Sequence, residues 1–480
     1  MLGSVKFERY FSFLYLLFGF AFLFFANGRW TIPLATFLAP IFLVRFIRLN
    51  KAFKGFLFLL LAGFISNIFI WKGLMPVSGL FYFTMTFMMA LFTALVFLID
   101  RIISQRLKGL ASTLVLPCAF VLMDYISVMA NPGGTFGAVA TTQSSLPLLQ
   151  LISITGIWGI TFVIYWTASI VNWLLDTDFE KHALRKAFWS YLVPIMMVFF
   201  YGQFYLSHNT ETKTVKIASV NIPREFIQHI FSDQPDSVNA EINDLFLANC
   251  DIAAMSNAKI VFGNEIMLNM HAENEEEYIN RAKAVAVKNG IYIGLPLLIY
   301  EQDNPNARPK NKISWISPQG EMLFAFYKAK PTPGEGDYGD GLIRHFDSPY
   351  GRISSVICFD MDFLDLMQQA GPLHIDIMLV PGNDWQEITP YHTHAASFRG
   401  IEQGFNLVRS ASRGLSASFN YKGQLLSCQD YFNTQDTLFY SDVPTKGRHT
   451  VYALIEDLFA WICIAYFFSV IIFLLTRRRG

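Results

Sequence analysis

Arg352-Ile-Ser-Ser-Val-Ile-Cys358-Phe-Asp360-Met-Asp362-Phe363 is the stretch on which the reading of this chain turns. It reads as a short apolar strand, Ile353 to Ile357, that stops on a cysteine. Two carboxylates follow at once, then a helix-compatible run from Leu364 to Ala370 closed by Gly371-Pro372. A thiol at the C-terminal end of a buried strand is held out of the core on a tight turn. Backbone N–H groups of a following helix lower its pKa there. A small core cysteine would look the same in isolation. The remainder of the chain has to decide between the two.

Composition sets the class. The chain is 53% hydrophobic and 15% charged, holds 47 phenylalanines and has a formal net charge of zero. That is too apolar for a soluble protein of 480 residues, and its charge balance gives no footing for a nucleic-acid partner. Of 37 Lys and Arg, 20 fall between residues 207 and 450, so the first 206 residues are largely apolar. Seven apolar runs lie within them, at 10–26, 30–48, 55–71, 78–99, 110–128, 149–175 and 188–206. Each is at or near the roughly 20 residues that a bilayer span needs. An eighth, 454–475, precedes Arg477-Arg478-Arg479. The first run follows Lys6 and Arg9, as a signal peptide would, but without an obvious small-residue cleavage site it reads as an uncleaved helix.

Basic residues orient these spans. With a cytoplasmic N-terminus, 15 of them fall on inner segments: Lys6, Arg9, Arg45, Arg48, Lys51, Lys54, Arg101, Arg106, Lys108, Lys181, Arg185, Lys186 and the three tail arginines. Only Arg29 and Lys72 fall outside. Seven spans then place residues 207–450 on the extracytoplasmic side, and the eighth returns the tail to the cytoplasm. The division expected is a seven-span domain over 1–206, a polar domain over 207–450, and a C-terminal span and basic tail over 451–480. Asp124, near the end of the fifth span, precedes a long outer loop, Asn131 to Gln143, without a basic residue. An intramembrane carboxylate points to a functional site, although Asp124 also suits the headgroup layer.

The polar domain alternates strands with helices, which indicates one α/β domain with helices covering a sheet. Strand-like runs start with 214–226 and continue at Lys259–Phe262, Ile291–Pro296, Ile313–Ile316, Met322–Tyr327, Ile353–Cys358, Ile375–Val380 and Phe405–Arg409. Helix-compatible stretches are Ser237–Met255, Asn274–Asn289, Leu364–Ala370 and Thr393–Gln403. The sequence has no P-loop, HExxH or GxSxG, so P-loop nucleotide, zinc-protease and serine-hydrolase readings have no support. No His, Cys and carboxylate group has metal-ligand spacing, and His392 and His394 are too close together for one helical face. No cofactor or metal is expected.

Chemistry gathers at three strand ends. Glu265 follows Lys259-Ile-Val-Phe-Gly-Asn, Lys328 follows Phe324-Ala-Phe-Tyr, and Cys358 is the third. The loop after Lys328 adds Lys330 and, through Pro-Thr-Pro-Gly, Glu335. Sites in open α/β folds collect at this edge. A carboxylate to take the thiol proton, a thiolate to attack a carbonyl and an ammonium to stabilise the oxyanion together suit acyl transfer. Of the other cysteines, Cys118 and Cys463 lie in spans as packing residues. Cys250 and Cys428 share the polar domain with Cys358 and are read as free thiols, with a disulfide the alternative in an oxidising compartment.

The order Glu265, Lys328, Cys358 resembles the Glu-Lys-Cys triad of the nitrilase, or carbon–nitrogen hydrolase, superfamily. Val380-Pro-Gly-Asn383-Asp384-Trp385 resembles its Asn-Asp-Trp-type loop. His394 to Arg409 resembles its Arg-x-x-Glu helix (Arg399, Glu402) and following strand, and Ser412-Arg-Gly414-Leu-Ser416 with Gly423 resembles its closing hairpin. With seven spans before and one after, the whole chain resembles the membrane-bound branch, the apolipoprotein N-acyltransferase family. Asp124 to Gln143 and Gly156-Ile-Trp-Gly159 are similar to that family's loop and next span.

The resemblance implies a polytopic helical membrane domain plus an extracytoplasmic α-β-β-α sandwich. It implies that Glu265 activates Cys358, that Cys358 takes an acyl chain from a phospholipid as a thioester, and that Lys328 stabilises the oxyanion. The acceptor it implies is the N-terminal amine of a lipidated cysteine on a lipoprotein. Glu335, Phe359, Asp360, Asn383 and Trp385 are implied as supporting residues of a monomer in the cell (inner) membrane. The chain departs from the family pattern at four places. Cys358-Phe359-Asp360 replaces Cys-Tyr-Glu, and Asn264-Glu265 replaces Pro-Glu. The Lys328-to-Glu335 loop is one residue short, and Asp124 stands for Glu. A membrane-tethered amidase hydrolysing a small extracytoplasmic amide is the alternative function.

Overall fold

The computed structural model describes residues 11–208, 213–229, 237–301, 307–332, 335, 336 and 338–477. Lys6, Arg9, Pro333, Gly334, Arg478 and Arg479 lie outside the described residues. The chain divides into two compact units, one of residues 1–208 with 455–480 and the other of 209–454.

The first unit is a bundle of apolar helices: α1 (Ser12–Ala26), α2 (Pro33–Leu49), α3 (Ala52–Ile70), α4 (Gly79–Ile103), α5 (Val115–Ala130), α6 (Ile157–Asp176), α7 (Val193–Ser207) and the C-terminal helix Leu458–Thr476. Among the described residues six helical segments are long and apolar enough to cross a membrane. Helices α1 and α2, with 15 and 17 described residues, are the two of the eight expected positions below that length. The run 149–175 is not one helix. Gly156 takes a left-handed φ of +63°, two short helical turns precede it, and α6 starts only at Ile157. A π-helical turn at Phe188–Leu192 leads into α7.

Arg45 and Arg48, counted on an inner segment, lie in the last turns of α2. Arg45 is buried and bonds Asp176 at 2.6 Å; Arg48 bonds Asp100, itself buried, at 3.1 Å. These pairs tie the end of α2 to the ends of α4 and α6.

The second unit is a four-layer α-β-β-α sandwich. One sheet runs β13-β1-β2-β4-β5-β6 with β3 added beside β4. Its strands are β1 (Thr214–Val220), β2 (Ile260–Gly263), β3 (Leu268–His271), β4 (Tyr292–Tyr300), β5 (Lys310–Ile316), β6 (Met322–Tyr327) and β13 (Leu438–Pro444). The other runs β12-β11-β10-β9-β8-β7, from β7 (His345–Ser348), β8 (Gly351–Ser355), β9 (Ile377–Asn383), β10 (Asn406–Ser412), β11 (Leu415–Phe419) and β12 (Leu425–Asp430). Each sheet has a parallel centre, β1-β2-β4 and β8-β9-β10, with antiparallel strands added at its flanks.

Period-2 alternation builds the layers. Val215, Ile217, Ile260, Phe262, Ile313 and Trp315 pack into one cluster with Ile353, Ile377, Leu379, Leu407 and Phe419. The alternate residues Ala218, Val220, Val261 and Ile293 pack instead on α8 (Ser237–Met255) and α9 (Ala272–Asn289), through Phe246, Cys250, Tyr278 and Ala282. On the second sheet the cover is a short turn, Leu364–Met367, and α10 (Tyr391–Gln403).

The expected elements are found, with shifts at their ends. Strand 214–226 stops at Val220 because Pro223 turns the chain into a 3₁₀ turn at Arg224–Phe226. The strand expected to reach Cys358 ends at Ser355. Strands β3, β7 and β13 are additions: β3 and β7 are four residues long, too short for alternation to register. The five cysteines are unpaired, with Cys250 in the α8 core and Cys428 exposed on β12.

Candidate active site

Glu265, Lys328 and Cys358 stand just beyond β2, β6 and β8, and all three are buried, at 2%, 1% and 6% exposure. Lys328 Nζ donates to Glu265 Oε1 at 2.7 Å and to Glu335 Oε1. Asn311 on β5 donates to the same Glu265 Oε1 at 2.9 Å. Both bonds fall on one carboxylate oxygen, which leaves Oε2 of Glu265 available for a proton. Thr332 fixes Glu335 by donating N–H and O–H to its other oxygen, at 2.7 and 2.9 Å. Lys330 lies at the surface, paired with Asp365 at 2.8 Å and 4.9 Å over the Phe363 ring.

Charge and burial set the protonation tendencies. Burial raises the Glu265 carboxyl above its ordinary range, against the pull of Lys328. Burial alone would lower the Lys328 ammonium, but Glu265 and Glu335 outweigh it and the net shift is upward. Burial pushes the Cys358 thiol well up, the Glu265 charge adds to this, and Lys328 and Arg409 oppose it. The expected lowering by a following helix is therefore not what the fold provides. A 3₁₀ turn, Cys358–Asp362, follows the strand instead, and burial favours the protonated thiol.

The turn itself is strained. Cys358 has φ +48° and Ile266, directly after Glu265, has φ +52°. A non-glycine residue there costs on the order of 1–3 kcal/mol and persists only where its surroundings hold it. Asp360 supplies the hold. Its Oδ2 accepts the Ile357 N–H at 3.0 Å, and its Oδ1 accepts those of Ala329 and Lys330 at 3.1 and 2.8 Å. Asp360 thus clamps the cysteine turn to the lysine loop. Burial pushes its carboxyl up to about 7, with Lys328 and the three N–H groups resisting. Phe359 is half-buried, edge-on to Phe363 at 5.1 Å and 6.5 Å from the His392 ring.

Asn264, directly before Glu265, is fully buried and joins the sheets. It donates to Asn221 Oδ1 at 3.1 Å and to Ser410 Oγ on β10 at 2.8 Å, and it accepts the Ile222 N–H at 2.9 Å. Asn383 accepts from Ser412 Oγ at 2.9 Å through its side chain, and its carbonyl lies 4.0 Å from Cys358 Sγ. Trp385 is half-buried beside it.

A second charged group under the thiol was not legible from spacing. Arg409, on β10, is fully buried and bonds both oxygens of Asp384, at 2.7 and 2.8 Å. Its Nη2 also lies 2.9 Å from His392 Nδ1 and 3.7 Å from Cys358 Sγ. His392 contacts Asp384 Oδ1 at 2.9 Å and Asp362 Oδ2 at 2.8 Å. Burial and Arg409 would lower the imidazole; Asp362 and Asp384 overcome them and push it up to about 9. Arg409 and His392 likewise hold the Asp384 carboxyl down despite its burial. His394, two residues on, faces Phe419 instead.

Cys358, Asp384 and His392 bring ligand atoms within 4.8 Å of one another, a grouping that sequence distance hid. Arg409 Nη2 is within hydrogen-bond reach of all three, so a guanidinium already supplies positive charge where a metal ion would.

Residues 12–170 match the family model described as the apolipoprotein N-acyltransferase N-terminal domain. The chain is 24% identical over 413 residues to the apolipoprotein N-acyltransferase of Geobacter metallireducens, covering 78% of this chain and 76% of that protein. It is 23% identical over 399 residues to apolipoprotein N-acyltransferase 2 of Treponema denticola, covering 73% and 74%. The chain is a relative of the apolipoprotein N-acyltransferases. It spans 60% of the length of the apolipoprotein N-acyltransferase of Rickettsia typhi, at 24% identity. Among solved structures, an amidase from Nesterenkonia sp. is similar at TM-score 0.41 and 15% identity, over 49% of this chain and 93% of that one.

The part of the chain that the family model matches includes Asp124. Its carboxylate is buried and accepts from Thr161 Oγ1 on α6 at 2.7 Å. The loop after it is packed. Phe136 lies 6.0 Å from the Trp71 ring, and Asn27 donates to the Gly137 carbonyl at 2.9 Å.

Proposed function

We propose that the protein transfers a fatty acyl chain from a phospholipid to the N-terminal amine of a lipidated cysteine on a lipoprotein, through a thioester on Cys358. The observation that carries this is the buried ion pair of Lys328 with Glu265, within electrostatic reach of a buried thiol at the next strand end. A membrane bundle on the same chain suits two substrates that are themselves held in a bilayer.

Each step assigns a proton. Glu265 takes the Cys358 proton as sulfur attacks the ester carbonyl of the donor. Lys328 faces the oxyanion of the tetrahedral intermediate. Its collapse expels the lysophospholipid alkoxide, which receives the proton from Glu265 and leaves an acyl thioester. The acceptor amine then attacks the thioester and passes a proton to Glu265, and the thiolate departs and takes that proton, which restores the thiol and the carboxylate. Glu335 and Asn311 hold Lys328 and Glu265 in place, while Phe359 and Phe363 present apolar surface at the rim. Intact-protein and peptide mass spectrometry of the purified chain should find a fatty-acyl increment on Cys358 that hydroxylamine removes. A chain without that increment that cleaves short amides would replace this reading with the amidase one.

The assignment extends to placement: residues 1–206 and 451–480 in the membrane, and 207–450 as the catalytic domain on the extracytoplasmic side. The support is the basic asymmetry, 15 residues against two. A reporter fused after Ser207 should be active outside the cytoplasm and one fused after Arg185 inside. Reversal of both signals would invert the topology.

A further inference from the structure

We propose that Arg409 is a second catalytic cation of the site, hydrogen-bonded to Cys358 Sγ as the thiolate forms and again as it leaves. This rests on Cys358 being the nucleophile, as proposed above. It adds a partner for sulfur distinct from Lys328, whose ammonium is committed to Glu265 and Glu335.

The geometry leaves Arg409 little choice of role. Its Nη1 donates to Asp384 Oδ2 at 2.7 Å and to Thr393 Oγ1 at 2.8 Å. Thr393 spends its own hydroxyl proton on the Leu415 carbonyl at 2.7 Å, so its oxygen can only accept from the guanidinium. Nη2 carries two hydrogens and has three neighbours: Asp384 Oδ1 at 2.8 Å, His392 Nδ1 at 2.9 Å and Cys358 Sγ at 3.7 Å. With His392 protonated, Nε2 donates to Asp362 and Nδ1 to Asp384 Oδ1, so Nη2 stands beside Nδ1 as a second donor to that oxygen and not as its partner. One Nη2 hydrogen then goes to Asp384 and the other is aimed at sulfur. The upward shift of His392 to about 9 is consistent with this arrangement at neutral pH.

Close packing keeps the guanidinium there. A Cβ at Gly414 would stand 2.6 Å from Asp384 Oδ2, and one at Gly382 would stand 3.0 Å from Arg409 Nη2. A bidentate pair with a buried carboxylate is also the arrangement in which arginine is least replaceable by lysine. The contact from Nη2 to sulfur is long in the resting state, where sulfur is a neutral thiol. It is the contact that gains when negative charge develops, which is the condition for acting on a transition state. The proton that leaves sulfur goes to Glu265, and Arg409 keeps all of its own.

The test reads the thiol rather than acyl transfer, so it can fail while the acyltransferase reading stands. The rate of Cys358 alkylation by iodoacetamide would be followed against pH in the full-length protein in detergent, by peptide mass spectrometry to separate Cys358 from the exposed Cys428. Arg409→Gln should slow alkylation at neutral pH about tenfold or more and move the midpoint up by about one pH unit, with the high-pH plateau unchanged. Because that variant strands the Asp384 charge, the pair Arg409→Gln with Asp384→Asn removes both charges together and should show the same displacement. If neither neutral variant accumulates folded, Arg409→Lys, which keeps Asp384 paired, carries the test. Its profile must be displaced from that of the wild type. A folded variant of any of the three whose profile superimposes on the wild type overturns the proposal.

Discussion

Replacing Cys358 by alanine should abolish both the acyl adduct and turnover, bringing activity to the level of protein-free controls. The nearest described hydroxyls are not placed to replace it. Ser354 and Ser355, the nearest hydroxyls before it in sequence, are buried in β8, and Ser355 Oγ is bonded to the Leu379 carbonyl at 2.5 Å. A serine at 358 should do little better. A hydroxyl loses its proton far less readily than a thiol. Folding should be nearly unaffected. The strained φ of +48° is held by Asp360 and its three backbone N–H donors, none of which involves the sulfur. The measurement is acyl transfer by the purified variant, with thermal unfolding as the control. A folded Cys358→Ala protein with substantial activity would remove the thioester from the mechanism.

What the sequence disclosed follows from how each feature is written into the chain. Long-period apolarity and alternation are local, so the membrane helices, β1, β6 and α8 are legible directly. Glu265, Lys328 and Cys358 are legible because a polar residue that ends an apolar strand is a local event. Asp360 is different. Its place next to the cysteine suggested an influence on the thiol, but its partners are Ala329 and Lys330, about thirty residues away in sequence, and its work is to join two loops. Arg409, Asp384, His392 and Asp362 are four charged or titratable groups from four separate segments, and no spacing rule connects them. The one local signal was arginine inside an apolar strand: Asn406 to Ser412 is buried throughout, and a charge there needs a buried counter-charge. Gly156 is the corresponding case in the membrane unit, since hydropathy runs through it while its left-handed φ breaks the helix.

Glu265→Gln should slow formation of the acyl-enzyme on the order of a hundredfold or more, the usual range for loss of a general base. The substitution keeps shape and packing. The amide oxygen can still accept from Asn311 and Lys328, as Oε1 does now at 2.9 and 2.7 Å. What is lost is the second oxygen, which takes no hydrogen bond from the described residues and is the one free to receive the thiol proton. The amide puts an NH₂ group there, a donor where the reaction needs an acceptor. The pH dependence separates this from a loss of position. Burial raises the Glu265 carboxyl above the usual value of about 4.3, so wild-type acylation should fall as pH drops through that raised pKa, where the carboxylate becomes protonated. In the glutamine variant that acid limb disappears. Its residual rate should instead climb steadily with pH, following the small fraction of Cys358 already ionised, because burial holds the thiol well above its ordinary range. At sufficiently high pH the two enzymes should converge. Single-turnover acylation from pH 5 to 10 reads all of this in one series. A glutamine variant that kept the wild-type acid limb would show that another group takes the thiol proton, and Glu265 would then be only the counter-charge that fixes Lys328.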